Sequence, residues 1–236
     1  MFEGPIRWLF SFLVIFVVLT TIYFVVLPNV SDLKRENPSR TALMKYREEE
    51  WKAKKEHHKI FQIWVPLSKI SPYLTKAVLI AEDDKFWEHA GFDYDSIEKA
   101  IEKDIQAGKF RFGGSTISQQ LVKNLYLSPV KRIWRKLAEA ILTWKLERTL
   151  SKKRILELYL NLVEWGEGIF GAEAASQHYF GKNSIDLTPL EAARLAVILP
   201  NPRRLDPTGN QRYIVQRSQL IYEIMIKRRI VDPDLF

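Results

Sequence analysis

Residues Trp8 to Leu27 read WLFSFLVIFVVLTTIYFVVL, twenty positions without a charge. As a helix this run is about 30 Å long, the thickness of a bilayer's hydrocarbon core. A cleaved signal peptide would carry a shorter apolar run and a small-residue cleavage site after it. Here PNVSDLKREN follows instead, so the run reads as an uncleaved anchor over residues 1–28. Arg7 stands before the run and Lys34 and Arg35 after it, which leaves orientation undecided by charge.

Residues 29–60 read as a charged stalk. SRTALMKYREEEWKAKKEHHK mixes both signs with few apolar residues, as a solvated helix with Glu–Lys pairs would. His57 and His58 in this run match no metal-ligand spacing. From residue 61 to 236 the pattern is globular and mainly helical. Apolar residues recur at three-and-four spacing over 73–89, 94–107, 115–127, 131–149, 151–164, 170–179, 188–198 and 211–229. HAGFD, FRFGGS, LSPV, WGEG, FGKNS and LPNPRRLDP separate these helices as turn signals. KIFQIWVPL at 59–67 is the best strand candidate. The chain has no cysteine, which excludes disulfides and cysteine-based zinc sites. It has no P-loop, dinucleotide fingerprint or H-E-x-x-H motif either.

Three stretches carry more chemistry than packing needs. In AVLIAEDDKFWEH, 77–89, Glu82 follows Val78 and Leu79 at helical spacing and falls where the apolar stripe ends. A carboxyl at such a rim has its neutral form favoured, so its pKa rises toward the range a general base or acid needs. The plain alternative is three surface carboxylates at a helix C-terminus, an end whose dipole disfavours acids. In GGSTISQQLVKN, 113–124, Ser115 or Thr116 caps a helix whose start suits an anion. Gln119, Gln120, Lys123 and Asn124 then follow on successive turns. In KRIWRKLAEAILTWKLER, 131–148, Lys131, Arg132, Arg135, Lys136 and Glu139 share one arc of the helical wheel. Ile133, Trp134, Leu137, Ala138, Ala140, Ile141 and Trp144 fill the opposite side. Between Lys123 and Arg154 ten basic residues meet only Glu139 and Glu147, a surplus equal to the net charge of the whole chain, +8. Such a patch suits phosphates.

Taken together, EDDKFWEHAG (82–91), GGSTISQQLVKN (113–124), RKLAE (135–139), KKRILELYLNLVEWGEGIFG (152–171) and EAARLAVILPNP (191–202) resemble the five motifs of the glycosyltransferases that polymerise peptidoglycan from lipid II. The resemblance runs from about residue 60 to 206 and is to the monofunctional, biosynthetic type. It implies a mainly α, lysozyme-like, two-lobed domain behind a transmembrane helix, with the domain on the outer face of the cytoplasmic membrane. The smaller lobe, with Phe92, Phe110 and Phe112, would face lipid.

The same resemblance implies Glu82 and Glu139 as the catalytic carboxylates. Ser115, Thr116, Gln119, Gln120, Lys123, Asn124, Lys131, Arg135 and Lys136 would bind substrate and its diphosphate. Glu139, set among cations, would organise the cationic site or partner a metal. No cofactor is demanded by the sequence, although a divalent magnesium or manganese ion could bridge the diphosphate. The implied partners are lipid II, the growing glycan strand, the membrane and other cell-wall synthases or division proteins, with no nucleic acid. Asp83 would orient a partner, Asp84 would be solvated, and His89 would cap or orient the loop. Two other readings compete. A membrane-bound lytic muramidase would share the fold and a catalytic glutamate but needs no diphosphate cradle. A non-enzymatic scaffold binding anionic lipid would leave Glu82 and Glu139 without a role.

Overall fold

Helical periods dominate the sequence, and in the computed structural model, which describes residues 3–25, 27–107, 114–127, 129 and 133–232, they become ten α-helices among the described residues. Helix α1 spans Glu3–Val25 and α2 spans Ala42–Lys54. After a two-residue strand β1, Phe61–Gln62, come α3, Pro72–Glu82, and α4, Tyr94–Ala107. Helices α5, Ile117–Tyr126, α6, Ile133–Thr149, and α7, Lys152–Leu162, follow. Strands β2, Glu164–Gly166, and β3, Ile169–Phe170, then lead into α8, Ala172–Phe180. Helices α9, Pro189–Ile198, and α10, Arg212–Lys227, complete the order. The WGEG segment, expected as a turn, contributes to a small sheet ordered β1-β3-β2, with β1 parallel and β2 antiparallel to β3.

The core is built where helices of short period meet. Helix α9 packs on α3 and α10, and α5 packs on α2, α6 and α7. Leu74, Val78, Ile117, Leu121, Leu142, Leu146, Leu158 and Ile198 are fully buried there. Leucines and β-branched residues removed from water in this way supply about 1.5–3 kcal/mol each.

Three expectations change. The helix expected over 73–89 ends at Glu82, because Asp83 turns its carboxylate to the start of α5 rather than continuing the ladder. Residues 29–60 are no solvated stalk. Val30, Leu33, Met44 and Trp51 are buried against the rest of the chain, and Arg47 and Glu50 of α2 pair with Glu164 and Arg203, more than a hundred residues away. On α6 the buried seam runs through Ala138, Glu139, Leu142, Thr143 and Leu146, whereas Leu137 and Trp144, expected on the apolar side, are exposed. Two aromatic or aliphatic side chains at the edge of the wheel had outweighed a narrower leucine seam.

Among the described residues no helix is long and apolar enough to cross a membrane. Helix α1 presents Trp8, Leu9, Phe10 and Phe12 through Val18 as exposed side chains. Several side chains of the expected anchor, those at 3–7, 19 and 22–26, lie outside the described residues, as do Phe110, Phe112 and Lys131.

Candidate active site

Helix α3 delivers Glu82 as its last residue, flush with the core formed by Leu74, Ala77 and Val78. Gln120 on α5 donates from Nε2 to Glu82 Oε2 at 2.8 Å. The same amide accepts from the hydroxyl of Tyr159, fully buried on α7, at 3.0 Å. This chain of bonds fixes the amide's orientation and aims one donor at the carboxylate. Burial pushes the Glu82 pKa above its ordinary 4.5, and the nearby charge of Asp83 adds to the rise. The Gln120 bond and the charges of Lys123 and Arg217 oppose it without cancelling it. The direction is the one expected for a proton-accepting carboxylate at a rim.

Asp83, the next residue, is buried and has both oxygens committed. Oδ2 accepts from the backbone N–H of Ile117 at 2.9 Å, and Oδ1 lies 2.8 Å from His89 Nε2. His89 Nδ1 accepts from the backbone N–H of Gly91 at 3.0 Å, so its proton is on Nε2 and is donated to Asp83. The anion at the α5 N-terminus is therefore the protein's own carboxylate. Thr116 and Gln119 complete that terminus as a capping box, and the Thr116 hydroxyl also donates to Gly91 O at 2.7 Å. Asp84 points the other way and forms a two-pronged ion pair with Arg228 beyond α10.

One turn beyond Gln120, Lys123 lies under the electrostatic influence of both Glu82 and Glu139. Burial lowers its pKa, the cations Arg135 and Lys136 lower it further, and the two glutamates oppose them. Glu139 is buried and ion-pairs with the exposed Lys136 one turn back on α6. A cleft of about 340 Å³ opens beside these groups. Gln120, Lys123, Asn124 and Arg135 line it, with Leu127 and Pro129. Arg135 Nε is buried and has no hydrogen-bond partner among the described residues. Arg47 and Glu164 line the cleft as well, with Leu43, Val163, Leu199 and Pro202.

Of the residues singled out from sequence, Gln120, Lys123, Asn124 and Arg135 converge on this cleft, and Glu82 joins it through Gln120. Thr116 and Gln119 spend their polar atoms inside the fold, Ser115 is half-buried just before the cap, and Lys136 faces solvent beside Glu139. Lys131 lies outside the described residues. Sequence reading missed Arg47 and Glu164, because one lay in an apparent stalk and the other beside an apparent turn. The signal available was a single arginine, Arg47, four residues before the lone tryptophan of a charged helix.

A family model described as Transglycosylase matches residues 49–226. A protein of Nitrosospira multiformis named biosynthetic peptidoglycan transglycosylase is 43% identical over 216 residues, covering 91% of this chain and 94% of its own. One of the same name from Alcanivorax borkumensis is 45% identical over 228 residues, covering 96% of this chain and 90% of its own. Another from Methylobacillus flagellatus is 52% identical over 158 residues, covering 67% and 69%.

Proposed function

Since the chain belongs to the transglycosylase family, we propose that its cleft polymerises lipid II into β-1,4-linked glycan strands with release of the lipid diphosphate. The chain is a peptidoglycan glycosyltransferase acting at the cell envelope. The single observation that carries the residue assignment is a buried Glu82 with a raised pKa, bonded to Gln120 and under the charge of Lys123, which lines the same cleft as Arg135. Arg135 keeps an unsatisfied buried N–H.

The donor sugar is α-linked to diphosphate and the product bond is β, so a single displacement inverts the anomeric carbon. The acceptor's 4-hydroxyl oxygen forms the new bond as its proton passes to a Glu82 carboxylate oxygen. The anomeric C–O bond breaks, and its electron pair leaves on the diphosphate. Lys123 and Arg135 neutralise the charge that grows there. Loss of hydration is what lowers the Lys123 pKa, so an arriving diphosphate restores its preference for the charged form. Gln120 holds Glu82 in place, and Glu139 holds Lys136 while tempering the repulsion between Lys123 and its cationic neighbours.

The donor set does not form a cage for a resident divalent ion, since no three His, Asp or Glu side chains converge among the described residues. Our proposal for magnesium or manganese is accordingly limited to an ion that arrives on the diphosphate, and no step runs through it. We further propose that residues 1–28 anchor the protein in the cytoplasmic membrane as a single pass. The lysozyme-like, two-lobed domain would then stand on its outer side. The charge-free run at 8–27 and the exposed apolar side chains of α1 support this.

The test is incubation of the full chain in detergent with labelled lipid II, beside Glu82→Gln. Polymer from the parent and a drop of about 10²–10⁴-fold in the variant is the expected result. Polymer at parental rate from Glu82→Gln would remove the base assignment, and cleavage of added glycan without synthesis would remove the reaction.

A further inference from the structure

The mechanism above draws on residues of the cleft, yet the polar group that steers them lies behind it. Tyr159 sits in α7 among Ile155, Leu156, Leu158 and Leu162, and all five are fully buried. A phenylalanine would fill this space without bringing in a hydroxyl that water cannot reach, and a buried hydroxyl left unpaired costs stability. The chain keeps the hydroxyl, and among the described residues it has one partner, Gln120 Oε1 at 3.0 Å. Burial, with the charges of Glu82 and Asp83, pushes the phenol pKa well above its ordinary value. The group therefore stays a hydroxyl, with one proton to donate.

That proton decides which way the Gln120 amide faces. In the orientation seen, Oε1 accepts from Tyr159 and Nε2 donates to Glu82 Oε2 at 2.8 Å. Turned over, the amide would present its oxygen to the carboxylate and its NH2 to the phenol, whose proton would be left without an acceptor. The orientation seen also discriminates between the two forms of Glu82. A carboxylate gains a charge-assisted bond from the N–H, whereas a neutral carboxyl gains a weaker one, and a proton on Oε2 would meet another donor. Burial favours the neutral carboxyl, and the Gln120 bond offsets part of that. The charged groups around Glu82 are Asp83 beside it, Lys123 on α5 and Arg217 on α10. Those of α9, which also packs on α3, are engaged elsewhere, Glu191 with Lys182 and Arg194 with the carbonyls of Pro207 and Gly209. Removing the phenolic oxygen alters none of these charges. We propose that Tyr159, which does not line the cleft, is a positioning residue for the base: its hydroxyl, acting through the Gln120 amide, holds Glu82 as the carboxylate that receives the acceptor's proton. This rests on the reaction proposed above and adds a residue that tunes its base from within the core.

The experiment measures kcat/KM for lipid II against pH with the full chain in detergent, for the parent, Tyr159→Phe, Gln120→Met and the double variant. Tyr159→Phe keeps the ring and loses the proton donor. Its acidic limb is expected about one pH unit above the parent's, the worth of about one hydrogen bond. Activity below the limb then falls about tenfold, while the plateau above it changes less than about twofold. Gln120→Met removes the other half of the relay and should raise the limb at least as far. Tyr159→Phe added to Gln120→Met should move it no further. A merely structural tyrosine would lower Tm and scale activity down equally at every pH, and that result would overturn the proposal. So would a second upward shift in the double variant, which would mean that the phenol acts on Glu82 without the amide. An unmoved limb in Gln120→Met overturns it as well, with the buried tyrosine untouched. Infrared difference spectra between each protein and its Glu82→Gln counterpart follow the protonated carboxyl of Glu82 without substrate, which separates the relay from the reaction. A Glu82 titration that Tyr159→Phe raises, in a protein that makes no polymer, overturns the reaction alone. Polymer from a parent whose Glu82 titration Tyr159→Phe leaves in place overturns the relay alone.

Discussion

Glu82 and Asp83 are chemically similar neighbours with opposite duties, and what separates them is hydrogen bonding. Asp83 has both oxygens bonded by donors from α5 and His89, so it organises the loop. Glu82 has one amide donor and an apolar surround, so its proton affinity is raised. Between its ordinary pKa of 4.5 and the raised value, the folded state holds a proton that the unfolded chain has released. Stability contributed by this group therefore falls as pH rises through that window, and the loss is complete above it. Glu82→Gln should melt at a higher temperature than the parent at neutral pH, and the difference should vanish below 4.5, as calorimetry can check. Catalysis has the opposite sign, because the base must be ionised. The acidic limb of kcat/KM should rise through a pKa above the ordinary glutamate value. A limb at the ordinary value would mean that the proton acceptor is a different, solvated group.

At the scale of elements, the site depends on where α5 begins. That start is fixed by the Thr116–Gln119 capping box and by the carboxylate of Asp83 on the Ile117 N–H. Asp83→Asn keeps the size but leaves one oxygen to serve two donors. It should cost about 1–2 kcal/mol in urea unfolding and reduce polymerisation, since Gln120 and Lys123 ride on α5. Gly91 closes the same loop at φ +95°, and a Cβ there would lie 2.8 Å from Thr143 and 2.9 Å from Glu147. Much of this level was legible in the sequence. The helix at 94–107 appears at Tyr94–Ala107, and of the two hydroxyls expected to cap the next helix, Ser115 or Thr116, it is Thr116 that does so. The end of α3 was not legible. AEDDKFWEH keeps a helical period, and only the long-range bond from Asp83 to Ile117 breaks it. The buried face of α6 was hidden for a related reason. Glu139 counts as polar on a wheel, yet Lys136 and the nearby Lys123 make its burial tolerable.

At the scale of the molecule, the charged segment before the catalytic domain is part of the domain. Trp51 of α2 is buried and donates its indole N–H to Glu167 of the hairpin, which Arg203 also grips. Arg47 reaches Glu164 from the same helix, so α2 both braces the β2–β3 hairpin and walls the cleft. Composition could not reveal this, because the pairing partners lie more than a hundred residues away in sequence. Trp51→Ala should therefore cost about 3–5 kcal/mol, as other buried tryptophans do on truncation. A stronger test compares two shortened chains. Removing residues 1–28 takes away α1 and leaves Leu33, Met44 and Trp51 in place. That chain should keep its near-ultraviolet circular dichroism and a cooperative melt. Removing residues 1–60 uncovers the surfaces of α5 and the hairpin that α2 occupies, together with an unpaired buried Glu164. It should lose the cooperative melt and aggregate. If both chains melted alike, α2 would be a solvated stalk after all, and the cleft would stand without its Arg47 wall.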